Sequence, residues 1–197
     1  MSAPASCRPL TDLSEAELKA LVVEHGGKPF QARQLSHWIW KHGAESFDAM
    51  RNVPNGLKTA LSDNFSPRTT TLAKAELADD GTEKLLLKLR DDETVECVII
   101  PDRARTTLCI STQVGCPVSC VFCASGMYGV RRNLTAGEIA EQVLVARSRL
   151  GRDRKLTTLV VMGRGEPMLN LKGLLPALQR IHDPEGINLG ARRITVS

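Results

Sequence analysis

Thr107-Leu108-Cys109-Ile110-Ser111-Thr112-Gln113-Val114-Gly115-Cys116-Pro117-Val118-Ser119-Cys120-Val121-Phe122-Cys123 is the stretch on which the reading of this chain turns. It opens as a predicted strand over Thr106–Thr112 and runs into a loop with CxxxCxxC spacing. Three thiolates on one short loop can ligate three irons of a [4Fe–4S] cluster, leaving the fourth iron open to a small molecule. A structural zinc site wants four closed ligands, and Cys109 is the one candidate for a fourth, since His25, His37, His42 and His182 are distant in sequence. Three buried cysteines without a ligand is the plain alternative.

Downstream of the loop the pattern alternates between strand and helix. Thr135 and Glu138 form a capping pair ahead of a helix with Ile139, Val143 and Leu144 on its buried side. Thr157–Met162 reads as an apolar strand followed by the Gly163–Pro167 loop, and Asn170 caps a helix bearing Leu174, Leu175, Leu178 and Ile181. Arg192–Ser197 begins a third strand. The predicted fold class is α/β: an N-terminal helical module (1–67), a small β linker (68–100) and the first half of a partial (β/α) barrel (101–197). Three strands with two helices leave the last strand uncovered, so the chain is expected to be cut inside a larger domain.

Upstream, Ser14 and Glu17 make a capping box with Leu13 and Leu18 as its staple, and Gly26-Gly27 ends the first helix. A second helix follows Pro29, with Leu35, Trp38 and Ile39 on one face, and shorter pieces surround Phe47–Met50 and Leu57–Leu61. Thr71–Leu77, Lys84–Leu89 and Thr94–Ile100 read as strands. Cys7 reads as a tail residue.

The composition narrows the function classes. The 197 residues are 42% hydrophobic with a net charge of +4. No apolar run is long enough to span a bilayer and the N-terminus lacks a signal-peptide stretch, so a cytoplasmic protein without membrane contact is expected. Residues 1–100 carry 12 Lys+Arg against 15 Asp+Glu, whereas residues 101–197 carry 14 against 7. A basic second half points to an anionic partner such as nucleic acid. Arg131, Arg132 and the run Arg147, Arg149, Arg152, Arg154, Lys155 are candidates for phosphate contact, against the plain reading of a solvated face. His37, Trp38 and Trp40 could stack on bases, although helical spacing with Leu35 suits Trp38 to a core.

CxxxCxxC at the end of a first barrel strand resembles the signature of the radical S-adenosylmethionine (SAM) superfamily. The resemblance extends through Thr107–Cys116, Arg132-Asn133-Leu134, Gly163-Arg164-Gly165-Glu166-Pro167-Met168-Leu169-Asn170 and Arg192–Ser197. Together these are similar to the RlmN/Cfr class of radical-SAM RNA methyltransferases. The likeness covers nearly the whole chain, the helical module included.

That resemblance implies an enzyme methylating adenine C2 in 23S rRNA and in tRNA, with C8 methylation by the same chemistry, or an inactive Fe–S or zinc RNA-binding protein, as alternatives. It implies two cofactors: a [4Fe–4S] cluster on Cys116, Cys120 and Cys123, and SAM, contacted by Gly165, Glu166 and Ser197. Cys109 matches the family's resolving cysteine, which forms a disulfide, and Glu96 matches its proton acceptor. Strand alternation separately places Glu96 on a face with Val98 and Ile100, where apolar neighbours would raise its pKa. A salt-bridged edge residue is its alternative. The partners implied by the resemblance are 23S rRNA, tRNA and an electron donor such as flavodoxin or ferredoxin, with the protein itself a monomer. The family carries Met at the position of Arg164. Its methyl-carrying cysteine lies downstream of the region matched by Ser197, and this chain has no cysteine after Cys123. A fragment of a methyltransferase is therefore expected in preference to a chain lacking the activity.

Overall fold

The computed structural model describes residues 7–118, 120–151 and 154–197. Ser119 of the cysteine loop and Arg152 of the basic run lie outside them. In chain order the elements are β1 (Arg8–Pro9), α1 (Glu15–Glu24), α2 (Pro29–Trp40), α3 (Asn55–Ser62), β2 (Phe65–Ser66), β3 (Thr71–Leu77), β4 (Glu83–Lys88), β5 (Thr94–Asp102), β6 (Arg105–Cys109), β7 (Gln113–Gly115), β8 (Val130–Asn133), α4 (Ala136–Leu150), β9 (Thr158–Val161), α5 (Leu171–His182) and β10 (Ile194–Val196).

Local chemistry sets the helix starts. Ser14 Oγ accepts from the Glu17 N–H while Glu17 Oε2 accepts from the Ser14 N–H at 2.8 Å, and Thr135 and Glu138 do the same for α4. The Asn170 side chain accepts from the Gly173 N–H at the start of α5. In the N-terminal module, β1 pairs in parallel with β2, which ties together the two ends of the helical segment. Cys7 is buried beside the Ser62 carbonyl, not on a loose tail, because this pairing draws it against the end of α3.

One six-stranded sheet runs in the order β10-β9-β6-β5-β4-β3. β6, β9 and β10 are parallel, and β6 through β3 are antiparallel neighbours. The strands expected to form a separate linker thus continue the β/α sheet edge to edge through β5 and β6. Pairing between residues distant in sequence decides this, and no local pattern encodes it. Strand ends shift slightly as well: β6 closes at Cys109, and a short 3₁₀ turn over Ala191–Arg193 precedes β10.

α4 is buried on every side, from Gly137 to Ala146. Its apolar residues Ile139, Val143 and Leu144 join the core that includes Leu108 and Leu159 of the sheet and Leu10, Leu35 and Ile39 of the module. Its polar residues are buried too. Glu141 is fully enclosed: it accepts from the Thr11 hydroxyl and from the N–H groups of Thr69 (3.2 Å) and Thr70 (2.7 Å). Gln142 makes a two-way amide link with Ser111, accepting from its N–H at 2.9 Å and donating to its carbonyl at 2.8 Å. The Gly137 N–H donates to Asp12 Oδ1, and a Cβ on Gly137 would come within 2.5 Å of that oxygen, so the turn after β1 sits hard against α4.

Burial raises the pKa of Glu141 above the ordinary carboxylate value, with the hydrogen bonds opposing the shift. Between the ordinary and the raised value the native state keeps a proton that the unfolded chain has released, so this residue makes stability fall as pH rises through that window. Glu141→Gln should remove that slope in urea titrations across pH. Glu141→Ala, which orphans three donors, should cost on the order of 3 kcal/mol.

Candidate active site

The candidate residues gather where β6 and β9 end. β6 leaves the sheet after Cys109, yet the Ile110 N–H still donates to the Val160 carbonyl, and the Gly163 N–H donates to the Ile110 carbonyl. The two strand ends therefore advance side by side into their loops. Ser111 joins three segments at one hydroxyl: its Oγ donates to the Glu96 carbonyl at 2.6 Å and accepts from the Arg164 N–H at 2.9 Å. Gln113 continues the seam, its Oε1 accepting from the Glu166 N–H at 2.8 Å and its Nε2 donating to Asn133 at 2.7 Å. Asn170 donates to the carbonyls of both Thr112 and Leu134. The role of Ser111, Gln113, Gln142 and Asn170 as organisers does not emerge from the sequence. For Ser111 and Gln113 the signal is a polar run at a strand end, and all four side chains prove buried.

The two glycines of Gly163-Arg164-Gly165 serve this seam. Gly165 has φ +106°, and a Cβ there would lie 2.7 Å from Gln113 Cβ and 2.8 Å from Thr112 Oγ1. On Gly163 it would lie 2.7 Å from the Ile110 carbonyl oxygen. Glycine is thus needed here for close approach of loop to loop. Glu166 half emerges beside it, and its Oε1 accepts from the Met168 N–H at 3.1 Å. Ser197 is exposed after β10.

Glu96 and Cys109 occupy one face of the sheet. Cys109 pairs with Val98 across β5–β6, and Glu96 lies two residues along β5 from Val98. The opposite face of β5 holds Val95, Cys97 and Ile99 in the core. Glu96 has cations as well as apolar neighbours: Leu86 stands opposite it on β4, and Lys84 Nζ is 3.7 Å and Arg164 Nη2 3.5 Å from its carboxylate. The register with β4 puts Lys84 opposite Val98, so a cation reaches where the alternation pattern implied aliphatic neighbours. Burial raises the pKa of the Cys109 thiol, which the Met162 N–H partly offsets, and pushes that of Cys97 up to about 12.

The cysteine loop is closed at its base. β7 pairs with β8, and the Cys116 N–H donates to the Gly129 carbonyl at 3.0 Å. Within it the Cys123 N–H donates to the Cys120 carbonyl, and both residues line an open concavity of about 500 Å³ with Phe122 and Met127. Cys116 is half-exposed, while Cys120 and Cys123 are exposed. Donors on Ser125 and then Gly126 favour the Cys123 thiolate, lowering its pKa, the form that binds iron. Among the described residues no three His, Cys, Asp or Glu side chains are drawn together around a point. Three thiolates on one loop suit an open three-thiolate site, and Cys109 lies in the sheet at the end of β6. All six cysteines are free.

Of the proposed phosphate-contacting cations, several are committed elsewhere. Arg131 pairs with Glu93, Arg132 bridges Asp91 and Glu138 at 2.7 Å each, and Arg149 pairs with Glu83 at 2.7 Å. Trp40 is core, and Trp38 donates to Asn52 with its ring 4.7 Å from that of His42. No helix among the described residues is long and apolar enough to cross a membrane.

Comparison with known proteins agrees with this geometry. Residues 9–66 match the family described as ribosomal RNA large subunit methyltransferase N-terminal domain. The chain is 44% identical over 188 residues to a probable dual-specificity RNA methyltransferase RlmN of Rhodopirellula baltica, covering 95% of this chain and 51% of that protein. It is 44% identical over 191 residues to the RlmN of Solidesulfovibrio magneticus, covering 95% and 54%. A crystal structure of a radical SAM methyltransferase from Sphaerobacter thermophilus superposes with a TM-score of 0.89 at 41% identity, over 95% of this chain and 56% of that one. The chain thus spans about half the length of the relatives it matches. With the helical module, the cysteine loop and the Gly163–Pro167 loop all in their expected order, this chain is similar, over about half of their length, to RlmN-type radical-SAM RNA methyltransferases.

Proposed function

We propose that this chain carries the cofactor-holding and proton-accepting part of an enzyme that methylates C2 of adenine in 23S rRNA and in tRNA. The observation that carries the reading is the convergence, at one end of the sheet, of a closed three-cysteine loop, the Gly163–Pro167 loop, and a face bearing both Glu96 and Cys109. Cys116, Cys120 and Cys123 would hold a [4Fe–4S] cluster, and Gly165, Glu166 and Ser197 would hold SAM. When bound, that pair supplies reductive cleavage of SAM to a carbon radical.

The chain's own groups do the rest. The free oxygen of Glu166 can accept from the SAM ammonium while its partner oxygen keeps the turn at Met168 in place. Glu96 accepts the adenine ring proton. Lys84 and Arg164 flank its carboxylate, orienting it along the sheet face. Cys109 gives up its proton and attacks, as the thiolate, the sulfur that links the adenine to a carrier cysteine; the carbon–sulfur bond breaks and its electron pair goes to the methylene carbon, which takes up a proton. A disulfide forms and the methylated base leaves. Electrons would enter from a flavodoxin or ferredoxin, and the module of α1–α3 would meet the RNA, with the chain acting as a monomer in the cytoplasm.

Anaerobic reconstitution with iron and sulfide, followed by dithionite and SAM, should yield 5′-deoxyadenosine from this chain. Cys116→Ala should lose both the cluster absorption and the product; cleavage that survives that substitution, or its absence from the wild type, overturns the assignment. Where methylated RNA forms, chromatography of its nucleosides separates 2-methyl- from 8-methyladenosine. Gly165→Ala should weaken SAM binding at least tenfold, because the strained φ and the contact with Gln113 together cost about 1–3 kcal/mol.

A further inference from the structure

Several cations without a carboxylate partner among the described residues line one cleft beyond the start of β9, the end that lies away from the candidate site. A cleft of about 550 Å³ opens between the end of α2, the end of α4 and the segment before β10. Lys41, His42, Arg147, Ser148, Arg154 and Lys155 contribute to its lining, and no Asp or Glu does among the described residues. Lys41, Arg154 and Lys155 are exposed, and among the described residues none of them has a carboxylate within ion-pair distance. This sets them apart from Arg131, Arg132 and Arg149, each of which is already paired.

Two helix C-termini meet here, and by themselves they call for a cation. Arg147 meets that need, donating to the carbonyls of Trp40 (3.1 Å) and Lys41 (3.4 Å). Burial lowers its pKa and no acid compensates it, so an anion entering the cleft would offset the cost of enclosing that guanidinium. Arg154 and Lys155 lie beyond the end of α4, where helix capping has no use for them. Gly43 and Gly151, where a Cβ would meet almost nothing, leave the cleft walls open to close backbone approach.

We infer that this cleft is a phosphate site at which Lys41, Arg154 and Lys155, backed by Arg147, hold the phosphodiester backbone of the RNA away from the reacting base. The inference rests on the proposed RNA substrate. Leu156 and Leu189 of the lining precede β9 and β10, whereas the Gly163–Pro167 loop follows β9. The cleft and the candidate active site are therefore separated by at least the length of β9, about 13 Å at 3.3 Å per residue. Contacts of this kind fix the register of a folded RNA without reading its sequence.

The test is fluorescence anisotropy of a labelled RNA stem-loop with the whole chain over a salt series, comparing wild type with the double variant Arg154→Glu, Lys155→Glu and with Lys41→Glu. All three residues are exposed, and circular dichroism should register no change of fold. Each variant should bind roughly tenfold or more weakly at moderate salt, and the double variant should flatten the slope of log K against log salt by about 1.5, the signature of two lost phosphate contacts. Wild-type binding that the variants retain in full overturns the cleft and leaves the functional reading standing. Failure of the wild type to bind RNA overturns both. Saturable binding of inorganic pyrophosphate that the variants lose while keeping RNA affinity assigns the cleft to a small phosphate ligand and overturns the RNA assignment.

Discussion

The structure depends on α4 being buried along ten consecutive residues while carrying Glu138, Glu141 and Gln142 inside. A buried polar group without a partner costs more than any single apolar contact returns, so each of these side chains dictates where another segment must lie. Glu138 takes Arg132 and the cap of its own helix. Glu141 takes Thr11 from the module and the Thr69–Thr70 backbone from the lead into β3, and Gln142 takes the backbone of Ser111. Misplacing any of the three segments would strand an acid or an amide in the core. The apolar contacts of α4 supply cohesion, and its polar ones supply position.

That positional control reaches the candidate site through Gln142. By holding both backbone groups of Ser111 it fixes the point at which β6 becomes a loop, and the Ser111 hydroxyl then fixes Glu96 on one side and Arg164 on the other. The site rests on hydrogen bonds between backbone and short side chains, which leave little rotamer freedom. The glycines at 163 and 165 belong to the same logic, since the loop can lie against Thr112 and Gln113 only where no Cβ intervenes. Arg164, between them, turns its side chain to Glu96 and so makes a cationic setting for the carboxylate that the aliphatic residues on its strand would not provide.

Charge is apportioned just as unevenly. Part of the basic excess of the second half of the chain is met by acids of the first half, through the pairs of Arg149 with Glu83, Arg131 with Glu93, Arg132 with Asp91 and Arg164 with Glu96. The contrast between halves in the sequence is therefore in part an internal complementarity, and the cations beyond α4 are among those left for an outside partner.

What could be read from the residues alone was local. Both capping boxes, the cap at Asn170, the break at Gly26-Gly27 and the three-cysteine spacing depend on groups a few residues apart, and all lie where the sequence placed them. Glu96 and Cys109 could be named from motif but not placed together, because their meeting depends on the register of β5 against β6. The burial of Cys7, the merging of the linker strands with the β/α sheet, the identity of the cations around Glu96 and the enclosure of Glu141 were illegible for the same reason. Each arises from a partner tens of residues away, and the energy that selects such a partner is the avoidance of unpaired polar groups across the whole core, a sum that no window of sequence contains. Helix boundaries and ligand-bearing residue types belong to the chain as written; which of those residues face one another belongs to the packing.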